Sequence, residues 1–417
     1  MDKFIIEGGY KLKGEVEISG SKNSSLPIMA AALLTDKEII LNNVPNLRDI
    51  NTMIKLLKEL GCVIERQDKT LKIDCSNIKS TTAPYELVKT MRASILVLGP
   101  LITRFKQANV SMPGGCAIGV RPVNLHIKAL EQMNADISIE KGYIVANTEK
   151  LTGNEIYFDI PTVTGTENIM MAAVLAKGKT VLKNAAKEPE VVDLSKMLNS
   201  MGANIQGAGT STIVIEGVES LKGTTYTVMN DRIEAGTLMC ASLITSSFIT
   251  LKNAPTYAMD AIIGKFKSMG GIIETIDKNT IKTGGEKIIP INIKTSAYPG
   301  FPTDMQAQFM SVLSLAKGTS IIEETIFENR FQHVAELNRL NANITAIGNK
   351  AVIKGTDKLI GAKVMATDLR ASASLVIAGL SAYGQTEISR IYHLDRGYEQ
   401  LEKKLSALGA KIRRVKE

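Results

Sequence analysis

The sequence predicts an α/β protein of two domains, each built from three copies of a unit of about 70 residues. First, six amphipathic helices end at Gly or Asn, followed by a small residue and, two places later, an isoleucine. Second, a helix rich in small residues recurs between these stops. Third, 417 residues exceed the size at which one core usually stops growing. The six stops are Gly61, Asn134, Gly202, Gly270, Asn341 and Gly409.

The helix before each stop keeps its apolar residues at helical spacing. Gly or Asn fits the stop because the residue after a helix often adopts the left-handed conformation, which costs these two residues least. Each isoleucine then opens an extended segment. These isoleucines are Ile64, Ile137, Ile205, Ile273, Ile344 and Ile412.

The second helix of each unit is apolar all round, which predicts a buried helix. Examples are 30–34, 170–175 and 371–380, and β-type runs such as 39–41, 180–182 and 386–388 follow them. Three units around a local axis can share one core. Residues 1–20 contain two strand-like runs with no unit before them, so they are expected to complete the C-terminal group. The predicted domains are 22–229, and 1–21 plus 230–417, joined by short hinges whose cleft opens and closes on ligands.

Composition excludes several classes of protein. The chain is 44% hydrophobic and 22% charged, without Trp, as in globular proteins. No apolar run of about 18 or more uncharged residues indicates a membrane span, and the N-terminus lacks a secretory segment, so a cytoplasmic location is expected. The net charge of +8 comes without aromatic residues among the basic ones, which favours anionic small molecules over nucleic acid.

Cysteine and histidine spacing predicts neither a disulfide framework nor a metal site, since the four Cys and three His are scattered. Cys62, Cys75 and Cys240 are interpreted as inert buried residues. Cys116 differs because Gly-rich sequence surrounds it and Arg121 follows. The loop 111–122 is a candidate lid, and a thiol near cations is reactive. Spacing alone leaves a catalytic and an inert Cys116 equally open.

Cations occupy the starts of four small-residue helices, although a cation there opposes the helix dipole. Equivalent helices should point their N-termini the same way, and free N–H groups there suit anions. The alternative is plain N-capping by Ser, Thr or Asp, which we expect at Thr303 and Thr367. The cations are Lys22, Arg92, Arg232 and Arg370.

Eight motifs lie along the whole length of the chain: Ser-Lys-Asn at 21–23, Lys-Thr-Met-Arg-Ala-Ser at 89–94, Pro-Gly-Gly-Cys at 113–116, Arg-Pro-Val at 121–123, Phe-Pro-Thr-Asp-Met-Gln-Ala-Gln at 301–308, Glu-Asn-Arg-Phe at 328–331, Ala-Thr-Asp-Leu-Arg-Ala-Ser at 366–372 and Asp-Arg-Gly-Tyr-Glu at 395–399. In these motifs the chain resembles the UDP-N-acetylglucosamine 1-carboxyvinyltransferase family of enolpyruvyl transferases. This resemblance implies two inside-out α/β domains of three repeats each, with the substrates held between them.

The resemblance implies that the chain moves an enolpyruvyl group from phosphoenolpyruvate to the sugar 3-hydroxyl, which opens peptidoglycan synthesis and so serves cell shape and division. It makes Cys116 the proton donor at C3, a site of pyruvyl adducts and the target of fosfomycin. Asp304 is the implied base, ionised by a helix N-terminus, and Lys22 and Arg396 complete the catalytic set. The implied phosphoenolpyruvate site is Lys22, Asn23, Arg121, Arg330, Arg370 and Arg396.

The implied nucleotide-sugar site is Asn23, Arg92, Arg121, Pro122, Val123, Asn124, Leu125, Thr162, Val163, Thr164, Asp304 and Ile326. Two positions depart from the family pattern: Asn124 stands where many members have Asp, and Ile160 where Lys is frequent. Both departures concern nucleotide binding rather than the reacting centre. No cofactor, metal, membrane or nucleic acid is expected, and the chain is expected to be a monomer.

Three other hypotheses fit the sequence less well. Enolpyruvylshikimate-phosphate synthase shares fold and chemistry but has no cysteine in this role, so the Cys116 loop disfavours it. An RNA-terminal phosphate cyclase would need a nucleotidylated residue, usually His, and no His here has a suitable context. An inactive paralogue would not be expected to keep Lys22, Cys116, Arg121, Asp304 and Arg396.

Overall fold

A computed structural model gives the fold and describes residues 2–112 and 123–416. Contacts between Cα atoms divide these residues into two compact units. The middle unit comprises residues 20–112 and 123–229, and the terminal unit comprises 2–19 and 230–416. The chain passes between them after Ser19 and after Met229.

Strands and helices alternate along the described chain. The strands are β1 (Asp2–Glu7), β2 (Glu15–Glu17), β3 (Ile39–Asn42), β4 (Val63–Gln67), β5 (Thr70–Asp74), β6 (Thr82–Ala83), β7 (Gln107–Ser111), β8 (Asp136–Glu140), β9 (Tyr143–Asn147), β10 (Glu155–Tyr157), β11 (Lys179–Lys183), β12 (Asn204–Gln206), β13 (Thr212–Glu216), β14 (Thr224–Thr227), β15 (Phe248–Lys252), β16 (Ile272–Asp277), β17 (Thr280–Gly284), β18 (Ile293–Lys294), β19 (Thr319–Glu323), β20 (Asn343–Ile347), β21 (Lys350–Lys354), β22 (Lys363–Met365), β23 (Gln385–Ser389) and β24 (Lys411–Lys416).

The α-helices are α1 (Lys22–Ala31), α2 (Arg48–Leu60), α3 (Tyr85–Val88), α4 (Leu98–Phe105), α5 (Asn124–Gln132), α6 (Val163–Ala173), α7 (Pro189–Ser200), α8 (Arg232–Ile244), α9 (Asp260–Ser268), α10 (Gln306–Leu313), α11 (His333–Arg339), α12 (Leu369–Ser381) and α13 (Leu401–Ala407). Short 3₁₀ segments cover Ala32–Leu34, Arg92–Val97, Thr256–Ala258, Thr303–Met305 and Ile391–Arg396.

The described strands form six four-stranded sheets with one common plan. An outer strand pairs parallel with the strand that follows the small-residue helix, as β10 does with β11. That strand pairs antiparallel with a third, β13, which pairs antiparallel with the edge strand β12. The edge strand holds the isoleucine after the stop, so Ile205 lies opposite Ile215. The repeated unit predicted from the sequence is confirmed.

All six predicted stops adopt the left-handed backbone conformation. The φ angle is 115° at Gly61 and 71° at Asn134, with values between 69° and 99° at the other four stops. Glycine and asparagine tolerate this conformation best, which explains why these two residue types recur there.

Each of the two compact units has its own buried core, built around its small-residue helices. Helices α8, α10 and α12 pack together in the terminal unit, and α1, α4 and α6 lie in the middle unit, where α6 contacts the other two. All 13 residues of α8 are buried. Helices inside and sheets around them form the inside-out α/β arrangement, so the predicted fold class is confirmed.

Strands from distant parts of the chain complete three sheets. In the terminal unit, β1 lies between β23 and β24, and β2 pairs parallel with β15. In the middle unit, β14 pairs parallel with β3. In each of the two compact units, strands from sequence segments far apart therefore pair to complete the sheets.

One expectation about cysteine is wrong. Cys62 and Cys75 form a disulfide, with their Cα atoms 4.4 Å apart, rather than two separate thiols. Cys62 directly precedes β4 and Cys75 directly follows β5, and the antiparallel pairing of these strands brings their ends together. Cys240 is a free, buried thiol, as expected. Across the part of the chain that the structure describes, no helix has the length and apolar character to cross a membrane.

Candidate active site

Polar side chains cap four of the small-residue helices. Ser21 caps α1 and Thr162 caps α6, each accepting one backbone N–H. Asp231 caps α8 and Asp368 caps α12, each accepting two. The predicted cap at Thr367 is wrong, because the Asp368 carboxylate takes that role.

The predicted cap at Thr303 is also wrong, because its side chain makes other hydrogen bonds. The Thr303 hydroxyl donates to Glu324 Oε2 at 2.8 Å and accepts from Arg330 Nη1 at 2.7 Å. Glu324 Oε1 meanwhile accepts the backbone N–H of Ile326 at 2.8 Å. The Ile326 side chain is 40% exposed, so this carboxylate holds a predicted sugar-contact residue at the surface.

Asp304 lies between two buried guanidinium groups in the terminal unit. Its Oδ1 accepts from Arg330 Nη2 at 2.7 Å, and its Oδ2 accepts from Arg370 Nη2 at 2.8 Å and Nε at 3.1 Å. The arginine side chains are only 5% and 3% exposed, against 26% for Asp304. Asp304 belongs to a 3₁₀ segment that leads directly into α10, so it lies at a helix start, and both oxygens of its carboxylate are paired with arginines.

A buried polar platform supports Arg370. The Arg370 guanidinium lies over the ring of Tyr398, 5.3 Å from its centre. The Tyr398 hydroxyl is 2.9 Å from Thr237 Oγ1 and accepts from Gln308 Nε2 at 3.2 Å. Burial raises the pKa of Tyr398, so its hydroxyl stays protonated. Burial alone would lower the pKa of Arg370, but the Asp304 carboxylate raises it above its ordinary value, which keeps the guanidinium charged.

Two further predicted cations lie in the terminal unit. Arg396 ends a 3₁₀ segment that packs against α12, the helix that carries Arg370. Arg232 is the first residue of α8, is 6% exposed and lies 5.7 Å from the ring centre of Tyr298. The structure thus brings Asp304, Arg330 and Arg370 into direct contact, with Arg396 on a neighbouring element.

In the middle unit, Lys22 and Asn23 form the start of α1. Lys22 Nζ lies 3.6 Å from Asp49 Oδ2, and the Lys22 side chain is 12% exposed. Asp49 belongs to the first turn of α2, a helix that packs on α1. Lys22 is thus a largely buried cation whose position a carboxylate helps to fix.

The predicted nucleotide-sugar residues of this unit lie at or near the starts of helical segments that pack together. The 3₁₀ segment that begins at Arg92 packs against both α1 and α6. Helix α5, which begins at Asn124, packs against α6. Val123 precedes Asn124 and Leu125 is buried, while Val163 and Thr164 open α6 after its cap Thr162. Ile160 is 55% exposed, so an apolar side chain stands at the surface just before α6.

Three predicted site residues, Cys116, Arg121 and Pro122, lie outside the described residues, as does most of the predicted lid loop. Sequence reasoning overlooked Tyr398, Gln308 and Thr237, although a signal existed. Gln308 follows Asp304 by four residues, which is one helical turn, and Tyr398 follows Arg396 by two.

Comparison with known proteins gives concordant results. Residues 6–405 match the family model described as EPSP synthase (3-phosphoshikimate 1-carboxyvinyltransferase). The chain is 56% identical to a UDP-N-acetylglucosamine 1-carboxyvinyltransferase of Geotalea daltonii over 419 residues. It is 57% identical to that of Thermodesulfovibrio yellowstonii over 417 residues, and both alignments cover 100% of each chain.

Solved structures share the fold at lower identity. The enolpyruvyl transferase NikO from Streptomyces tendae has a TM-score of 0.90 at 24% identity, covering 99% of both chains. An EPSP synthase from Acinetobacter baumannii has a TM-score of 0.79 at 17% identity, covering 100% of both chains. With these full-length relatives and this fold, the chain belongs to the enolpyruvyl transferase family, in the group of the UDP-N-acetylglucosamine 1-carboxyvinyltransferases.

Proposed function

We propose that this chain transfers the enolpyruvyl group of phosphoenolpyruvate to the 3-hydroxyl of UDP-N-acetylglucosamine and releases phosphate. The observation that carries the proposal is the Asp304 carboxylate held by two buried guanidiniums, in a chain 56–57% identical to relatives of that name. Buried arginines suit phosphate and carboxylate groups, because their planar forks bind such anions in a fixed geometry.

The reaction is an addition followed by an elimination. The sugar 3-hydroxyl attacks C2 of phosphoenolpyruvate and loses its proton, while C3 gains a proton. The tetrahedral intermediate then loses a proton from C3 and its phosphate from C2, which restores the double bond. This sequence requires a base at the hydroxyl, an acid at C3 and cations for the anionic groups.

Asp304 is the proposed base, and its ion pairs supply a means of control. Both carboxylate oxygens accept hydrogen bonds from Arg330 and Arg370. An anion of phosphoenolpyruvate that takes over these guanidiniums leaves a carboxylate oxygen available for the proton of the sugar hydroxyl. Tyr398 beneath Arg370 keeps that guanidinium in place during the exchange.

The remaining roles follow the family pattern. Cys116 is the proposed acid at C3, the site of a pyruvyl adduct and the residue that fosfomycin alkylates. Lys22, Asn23, Arg121 and Arg396 complete the proposed phosphoenolpyruvate site. The proposed nucleotide-sugar contacts are Asn23, Arg92, Arg121, Pro122, Val123, Asn124, Leu125, Thr162, Val163, Thr164, Asp304 and Ile326.

The proposed setting is the first step of peptidoglycan synthesis in the cytoplasm, catalysed by a monomer, and through it cell shape and division. The test is a phosphate-release assay with purified protein and no added metal. We expect release only when phosphoenolpyruvate and UDP-N-acetylglucosamine are both present. Release with shikimate 3-phosphate in place of the nucleotide sugar would overturn the proposal.

Cys116→Ala tests the proposed acid. The variant should lose turnover and labelling by fosfomycin while it keeps its affinity for UDP-N-acetylglucosamine, measured by calorimetry. Cys240→Ala is the matched control, since Cys240 is buried and should change neither property. Labelling that persists in Cys116→Ala would identify another thiol as the reactive one.

Arg396→Ala tests the proposed clamp, by which we mean the cations of the phosphoenolpyruvate site: Lys22, Arg121, Arg330, Arg370 and Arg396. Removing this charge should raise KM for phosphoenolpyruvate more than KM for the nucleotide sugar, because the clamp binds the anion. Arg339→Ala, which removes an exposed arginine of the same unit, is the control. Steady-state constants equal to those of the unchanged protein would remove Arg396 from the clamp.

A further inference from the structure

Asp193 in α7 is a buried carboxylate that the roles assigned above leave unused. It is 7% exposed. Its Oδ2 accepts hydrogen bonds from the Ser24 hydroxyl and, at 3.1 Å, from the backbone N–H of Met229. Its Oδ1 accepts from the Tyr226 hydroxyl at 2.6 Å. One side chain therefore joins α1, β14 and the segment where the chain leaves the middle unit.

These contacts form a closed circuit of hydrogen bonds. Asp193 Oδ2 accepts from Ser24, whose backbone N–H donates to Ser21 Oγ at 3.3 Å. The Ser21 N–H donates to the carbonyl oxygen of Met229 at 2.8 Å, and the Met229 N–H returns to Asp193. Such a ring fixes the first turn of α1 on both sides, because each member is held by two neighbours.

Lys22 and Asn23 lie within that ring, between Ser21 and Ser24. We infer that Asp193 is a positioning residue for phosphoenolpyruvate, acting through Ser24 on the placement of Lys22 and Asn23. The inference rests on the proposed function of these two residues. Misplacing a reacting or binding group by about 1 Å can cost up to about 100-fold in rate, so a lock on this turn has a measurable effect.

The two oxygens of Asp193 provide a matched pair of variants. Ser24→Ala removes the hydroxyl that joins Asp193 to α1, whereas Tyr226→Phe removes the hydroxyl that joins it to β14. Each change deletes one donor to the same carboxylate. If Asp193 only stabilises the fold, the two variants should have similar effects on activity. If Asp193 positions α1, only Ser24→Ala should change the kinetic constants for phosphoenolpyruvate.

Asp193→Asn serves as the conservative rescue. The amide oxygen in the Oδ2 place can still accept from Ser24 and Met229. The amide NH₂ then faces the Tyr226 hydroxyl, which can accept a hydrogen bond from it. The same hydroxyl can donate to the backbone carbonyl oxygen of residue 193, which lies 3.1 Å from it in the unchanged protein. All the contacts survive without the charge, whereas Asp193→Ala deletes every side-chain contact.

The experiment measures kcat and both KM values by phosphate release for the four variants, with melting temperatures alongside. We expect Ser24→Ala and Asp193→Ala to lower kcat/KM for phosphoenolpyruvate by about tenfold or more, and to raise KM for UDP-N-acetylglucosamine by a smaller factor. The smaller factor is expected because, of Lys22 and Asn23, only Asn23 belongs to the proposed nucleotide-sugar site. Tyr226→Phe and Asp193→Asn should stay within about threefold of the unchanged protein for both substrates.

Equal losses in Ser24→Ala and Tyr226→Phe, or a loss for the nucleotide sugar as large as the loss for phosphoenolpyruvate, would overturn the inference. The Ser24 and Tyr226 pair decides the matter even if Asp193→Ala fails to fold. The unchanged protein is assayed first. If it releases no phosphate from the two substrates, the proposed function fails, and if it does, the variants test Asp193 alone.

Discussion

Asp304→Ala tests the ion-pair cluster through the stability of the terminal unit. The change leaves Arg330 and Arg370 with two like charges in one pocket, their side chains 5% and 3% exposed. Removing one partner of a buried ion pair costs about 3–5 kcal/mol. Since Asp304 is itself 26% exposed, water replaces part of its contribution, and we expect the low end, about 3 kcal/mol.

The assay is thermal unfolding followed by circular dichroism. For a unit of about 200 residues, 1 kcal/mol corresponds to about 2–4 °C, so the transition of the terminal unit should fall by about 6–12 °C. Asp304→Asn keeps one acceptor oxygen and should fall by less. Asp357→Ala, which removes an exposed carboxylate of the same unit, is the control and should not shift.

Inorganic phosphate extends the test to the proposed anion site. An anion that binds only the folded protein raises the melting temperature. Phosphate should raise it more for Asp304→Ala than for the unchanged protein, because in the variant no carboxylate occupies the space between the two guanidiniums. Asp304→Ala melting at the unchanged temperature, with no gain from phosphate, would refute the account of this cluster.

Three further predictions concern buried groups. Burial lowers the pKa of His126 and of His333 to about 4, so between pH 6.5 and 4 the unfolded chain binds protons that the folded chain does not, and stability should fall on acidification by about 1.4 kcal/mol per pH unit for each histidine. NMR titration with midpoints near 6.5 for both would contradict this. Burial, with the nearby Glu190 and Glu188 charges, raises the pKa of Glu167 well above its ordinary value, so stability is lost as pH rises above about 4.5. Glu167→Gln should therefore raise the melting temperature more at pH 8 than at pH 4, and an equal gain at both would count against a neutral Glu167. Reducing the Cys62–Cys75 disulfide, which closes a loop with a separation of 13 residues, should cost about 3 kcal/mol, and dithiothreitol should lower the melting temperature of the unchanged protein but not of Cys62→Ser/Cys75→Ser.

The fold could be predicted from conformational preferences of residues that are close together in the sequence. A left-handed stop needs Gly or Asn, and a helix buried all round needs small apolar residues, so both features recur visibly along the sequence. The helix-start positions of Lys22, Arg232 and Arg370 followed from the same period. These features depend on residues close together in the chain, and for that reason one sequence was enough.

Contacts between distant residues were beyond such rules. Arg330 and Arg370 are 26 and 66 residues from Asp304, and nothing in the period pairs them with one carboxylate. The sequence predicts Thr303 as a helix cap, but its hydroxyl is hydrogen-bonded to Glu324 and Arg330 instead. Cysteine counts and motifs do not predict the disulfide, because it is the pairing of β4 with β5 that brings Cys62 and Cys75 together.

The most direct measurement uses phosphoenolpyruvate labelled with carbon-13 at C2 and follows that carbon through the reaction. After reaction with UDP-N-acetylglucosamine, NMR should show that carbon as an enol ether coupled to the hydrogen at sugar position 3, with one phosphate released per ether formed. Recovery of the label as free pyruvate, with the nucleotide sugar unchanged, would contradict enolpyruvyl transfer.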